Sequence, residues 1–177
     1  MSCLSSVSLT GKRVIQEITA SMKKRSKENP IQVPTEAEWG DYLADLDQEY
    51  AHRMFAGRTN QEMLPHFRRN VIERADELRW MPVAPFRYYM LGFRDFVMAG
   101  EFDATWAPDA ASCFIGLVLQ KLEKQPGYIL AIIPQLLPAI RHIAMNQTSY
   151  GAKESIYGSF QEKLRRIEAL SQSRSKS

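Results

Sequence analysis

An all-α fold follows from three features of this 177-residue chain. Apolar residues recur at three- and four-residue intervals over most of its length. Capping-box spacings open two of those runs, and no alternating run is bounded by hairpin turn chemistry. The reading is a single-domain bundle of about seven helices over residues 1–177, with a proline-kinked central helix and mobile ends near 1–7 and 171–177.

The elements follow in order. Leu9, Val14, Ile15, Ile18 and Met22 share one side of a helix that Ser8 or Thr10 can cap and that ends near Lys27. Asn29-Pro30 and Pro34 form an extended link, because proline disfavours helix at itself and at the residue before it. Thr35-x-x-Glu38 then opens a second helix, along which Trp39, Tyr42, Leu43, Leu46, Tyr50 and Met54 trace the inward stripe. Gly57 ends it, and Thr59-x-x-Glu62 starts a third helix that runs to about Trp80. After Met81-Pro-Val-Ala-Pro85, the stretch Phe86–Ala99 is apolar on nearly every side, which is how a central core helix reads. Pro108 and Asp109 suit the first turn of a fifth helix through Leu122. Tyr128–Met145 carries Pro134 and Pro138 one turn apart, so it is either kinked or two short helices. Ile156, Tyr157, Phe160, Leu164, Ile167 and Leu170 define the last helix.

Composition narrows the function classes. With 45% hydrophobic and 24% charged residues the chain has ordinary globular character, outside the range that stays unfolded. The apolar run Tyr128–Met145 is read as too short, and too close to Arg141 and His142, to span a membrane, and the N-terminus has no signal-peptide pattern. Cys3 and Cys113 make neither a disulfide scaffold nor a cysteine-rich metal site, so the expected setting is a reducing cytoplasm.

Catalytic signals are sparse. No phosphate-binding glycine loop, nucleophile elbow or His-Glu-x-x-His stretch occurs, and no cofactor is expected. Glu49 and His52 stand three residues apart, as in carboxylate-bridged metal bundles, but those bundles need two such pairs. A surface Glu49–His52 pair is the expectation, and a metal-dependent helical enzyme using both is the competing one. Cys113 sits among apolar neighbours and reads as a buried, inert thiol. Phe86, Tyr88, Tyr89, Phe93 and Phe96 recur at core spacing and read as packing rather than base-stacking groups, with Arg87 and Arg94 as partners for the tyrosine hydroxyls.

Charge is the more informative signal. The net charge is only +3, yet Lys12, Arg13, Lys23, Lys24, Arg25 and Lys27 precede a purely acidic stretch. On the second helix Glu38, Asp41, Asp45 and either Gln48 or Glu49 follow a three-to-four-residue spacing, so their carboxylates are expected to form one exposed stripe. That stripe is solvated, paired with the bases of the first helix, or a docking face for a basic partner.

Phe55-Ala-Gly-Arg-Thr59, Leu78-x-x-Met81 and Phe86-Arg-Tyr-Tyr-Met90 resemble an uncharacterised family of small bacterial helical proteins with a phenylalanine–glycine turn and a later Phe-x-Tyr-Tyr helix. The resemblance covers about a quarter of the chain and implies a bacterial cytoplasmic setting without an assigned activity. The functional expectation is a non-catalytic protein-binding protein that neutralises or regulates a basic partner, such as a toxin domain, through Glu38, Asp41, Asp45 and Glu49. Nucleic-acid binding through Lys23, Lys24, Arg25 and the basic tail is the remaining alternative.

Overall fold

The computed structural model describes residues 32–174. The helix expected between Ser8 and Lys27, the end at 1–7 and the bases Lys23, Lys24 and Arg25 lie outside the described residues. Within them, 78% of residues are helical and there is no strand. In chain order the α-helices are α1 (Glu36–Trp39), α2 (Leu46–Phe55), α3 (Asn60–Arg69), α4 (Val71–Trp80), α5 (Val83–Ala99), α6 (Ala107–Lys124), α7 (Pro126–Ile129), α8 (Ile133–Met145), α9 (Glu154–Tyr157) and α10 (Phe160–Arg174). Short 3-10 turns cover Tyr42–Ala44 and Leu130–Ile132.

The central helix is α5, whose side chains from Pro85 to Phe93 are buried except for Arg87. Phe93 stacks on Phe67 with ring centroids 5.0 Å apart and meets Phe114 edge-on at 5.6 Å, so one aromatic layer joins α3, α5 and α6. The Tyr89 hydroxyl donates to the carbonyls of Phe55 and Arg58 at 2.5 and 2.8 Å. These carbonyls, at the end of α2 and in the turn that follows it, take the role expected for Arg87 and Arg94. Those two arginines instead donate to backbone oxygens, Arg87 to Gly127 and Tyr128, Arg94 to Gln135.

Two of the expected helices are broken. The run from Thr35 begins as anticipated, with the Thr35 N–H and hydroxyl donating to Glu38 at 2.7 and 2.9 Å. It stops at Gly40, whose φ of +63° belongs to the left-handed region that glycine tolerates best. The chain restarts only when Asp45 accepts from the backbone N–H groups of Asp47 and Gln48 at 2.9 and 3.1 Å, as an N-cap does. The third helix divides at Asn70, which ends α3 and caps α4 by accepting from the Glu73 N–H at 3.1 Å. At both restarts a short polar side chain satisfies the backbone locally and competes with helix continuation, and at the first break Gly40 has already ended the preceding turn.

The apolar stretch Pro126–Met145 is 20 residues long, enough to cross a membrane by length and composition alone, which corrects the reading that it is too short. It is divided into α7, a 3-10 turn and α8. Ile129, Ile133, Leu136, Ile140 and Ile143 are buried in the core. Pro134 falls in the first turn of α8, where a missing N–H costs little, and Pro138 lies inside the helix. At the other end, α10 continues to Arg174, and Ser171 is buried, so the expected mobile tail does not begin at 171.

Candidate functional site

The acidic residues do not form a helical stripe. Glu38 is engaged by Thr35, Asp41 lies in the bend after Gly40, Asp45 is consumed as the cap of α2, and Glu49 pairs with Arg53 at 2.6 Å. Thr35's hydrogen bonds hold the Glu38 carboxyl below its usual range. Four carboxylates thus occupy three separate local structures, and two of them complete backbone turns.

Glu49 and His52 also part company. His52 Nε2 stands 3.0 Å from both carboxylate oxygens of Glu36, its ring stacks on Tyr42 at 3.6 Å, and Trp39 meets it edge-on at 5.0 Å. The hydrogen bond from His52 lowers the Glu36 pKa. This cluster fastens α1 and the following turn onto α2. Among the described residues no three His, Cys, Asp or Glu side chains gather as metal ligands would.

The same breaks turn apolar side chains outward. Leu43, Leu46 and Tyr50, expected to face the core, are 70%, 73% and 57% exposed, and Ile72 and Trp80 on α4 are 49% and 42% exposed. Restarting the helix at Leu46 rotates its inward face to Ala51 and Phe55. On α4 the buried stripe is Val71, Ala75 and Leu78, which leaves Ile72 and Trp80 on the outer side.

Tyr50, Ile72 and Trp80 converge on an open cleft of about 730 Å³. Its length follows α4 from Asn70 to Trp80. Asp47 and Tyr50 of α2, and Trp106, Cys113 and Leu117, complete the lining. Burial pushes the Cys113 thiol up to about 11, so it is a packing group there rather than a nucleophile. Asp47, Glu73, Asp76 and Glu77 supply the carboxylates. Buried Arg74 holds Glu77 through Nε–Oε2 at 2.7 Å and Nη2–Oε1 at 2.8 Å, and reaches Glu73 at 3.0 Å. Arg79 pairs with Asp76 at 3.0 Å, and Asp47 has no ion pair among the described residues. Three of these four carboxylates are thus held by a guanidinium group, and the cleft's excess of negative charge is modest and centred on Asp47. Burial outweighs Arg74 and raises the Glu77 pKa to about 7.

Lys121 holds the end of α4, the helix that supplies most of the cleft's lining, and was not singled out in the sequence. It is buried, and its Nζ donates to the Arg79 carbonyl at 2.7 Å and to Gln125 Oε1 at 2.6 Å, between the rings of Phe86 and Tyr128. Burial lowers its pKa to about 8. The ammonium thereby ties the end of α4 to α6. Its signal was positional: Phe114, Leu117 and Lys121 share the inward stripe of α6.

Comparison with protein-family models, curated proteins and solved structures finds no match for this chain.

Proposed function

We propose that this chain is a non-catalytic protein-binding protein and that the cleft along α4 is its docking surface. One observation carries the reading: Leu43, Leu46, Tyr50, Ile72 and Trp80 are all exposed, and three of them border a single acidic cleft. Clustered exposed apolar side chains with a polar rim mark binding surfaces, because leaving them in water costs about 25 cal/mol per Å² of apolar area. Aromatic anchors of this kind dominate interface energetics.

The acidic rim favours a basic partner, in keeping with the charge segregation along the chain. Neutralising or regulating such a partner, as an immunity protein does with a toxin domain, needs only this kind of tight occlusion and no chemistry. A bacterial cytoplasm is the setting the reading assumes. The docking face differs from the acidic residues first singled out, because Glu38, Asp45 and Glu49 already serve local structure.

A photo-crosslinking residue at Tyr50 tests the proposal in cells, with a second at exposed Glu162 on α10 as control. A discrete protein adduct at Tyr50 and none at Glu162 is expected. Equal adduct patterns at both positions would refute a dedicated surface.

A further inference from the structure

We propose that the valley along α4 seats a basic amphipathic helix of the partner protein, with one large apolar side chain held between Tyr50, Trp80 and Trp106. This rests on the protein-binding reading above and adds the conformation and charge of the occupant.

The backbone argument comes first. Among the described residues there is no strand, so the cleft offers no edge of free N–H and C=O groups for an extended segment to pair with. A segment entering an apolar cleft needs its backbone hydrogen bonds satisfied, and a helix brings its own. The cleft also has the right form. Most of its lining comes from a 10-residue helix, about 15 Å long at 1.5 Å per residue, and the rest from residues of α2 and at or on α6. A fourth helix laid there packs ridges into grooves as helices in a bundle do.

Charge then selects the sequence of that helix. Asp47 has no ion pair among the described residues, and Glu73 and Asp76, each held by one guanidinium at 3.0 Å, keep an exposed side at the rim. Lysine or arginine flanking an apolar stripe would meet these carboxylates while the stripe covers Ile72 and Trp80. The chain as a whole carries +3, so a cationic helix is drawn to this cleft by its local field and not by the protein's net charge.

The test uses the full chain and three designed peptides of about 18 residues, long enough to hold a helix on binding. One is an amphipathic helix of leucine and lysine, one its leucine–glutamate counterpart, and one a proline-rich lysine peptide. None contains tryptophan, so Trp80 and Trp106 report binding by fluorescence. The leucine–lysine helix should bind saturably, gain helical circular dichroism, and lose about tenfold in affinity or more with Ile72→Asp or Asp47→Lys. Both positions are exposed or at the rim, and unchanged thermal unfolding of each variant confirms that the fold is kept. Equal binding of the glutamate peptide overturns the charge assignment, and tighter binding of the proline-rich peptide overturns the helix. Leucine–lysine binding that ignores Ile72→Asp and Asp47→Lys, or no binding by any peptide, overturns the site. A Tyr50 adduct in cells alongside any of these failures keeps the protein-binding reading while this inference falls.

Discussion

Replacing Gly92 by alanine sets two sizeable effects against each other. Gly92 lies in the buried middle of α5, and in an ordinary helix interior the change gains about 1 kcal/mol of helix propensity. Here the added methyl would fall 2.1 Å from Asn60 Oδ1, 2.3 Å from its Cγ and 2.8 Å from its Cβ. Asn60 would be driven out of a site where its Nδ2 donates to the Tyr88 carbonyl at 3.1 Å. Overpacking costs about 1–3 kcal/mol and the lost hydrogen bond about 1 kcal/mol, so the net loss is about 1–3 kcal/mol. Urea titration of Gly92→Ala measures it. The explanation is specific to Asn60: Asn60→Ala gives only partial relief, since its Cβ still clashes, whereas in an Asn60→Gly background Gly92→Ala should become stabilising by up to about 1 kcal/mol. Stabilisation by Gly92→Ala alone would refute this account of how α3 seats against α5.

Other outcomes follow from the same geometry. Phe93→Ala and Ile140→Ala, both at fully buried positions, should each cost about 2–5 kcal/mol in denaturant titration, and losses of surface size would misplace the core. Asp45→Ala should cost about 1 kcal/mol because it removes the cap of α2, while Asp41→Ala should stay within about 0.5 kcal/mol, and equal effects would contradict the break at Asp45. Glu77 gives a pH signature. Its pKa rises from 4.5 to about 7 on folding, so between those values the unfolded chain loses the proton that the folded protein keeps. Stability therefore falls as pH rises, by about 1.4 kcal/mol per pH unit at most. Glu77→Gln should flatten that slope in unfolding midpoints taken from pH 4 to 8, and an unchanged slope would assign it to other groups.

Helix content, both capping boxes and the apolar character of α5 were legible in the sequence because each is set by residues within a few positions of one another. The breaks at Asp45 and Asn70 were harder to see. Both residues fit a continuous periodic pattern, and only the competition between a side-chain oxygen and the helix decides there. That competition carried the site with it, since a restart at Leu46 converts Leu43 and Tyr50 from expected core into exposed surface. Gly40-Asp41 was the available warning, a glycine and a turn-forming residue in mid-run. Ile72 and Trp80 left a fainter trace, as large apolar residues off the Val71–Ala75–Leu78 stripe. The joining of α2, α4 and α6 into one cleft rests on long-range contacts that no local pattern encodes.

The central claim is that the apolar cleft, and not the acidic residues before it, is the binding face. Two variants of the full chain separate the possibilities in the Tyr50 crosslinking assay: Ile72→Asp with Trp80→Ala in the cleft, and Glu38→Gln with Asp41→Lys outside it. The cleft variant should lose the adduct while remaining folded by circular dichroism at the assay temperature, and the acidic variant should keep the adduct. The opposite pattern, an adduct that survives in the cleft variant and disappears in the acidic one, would contradict the account.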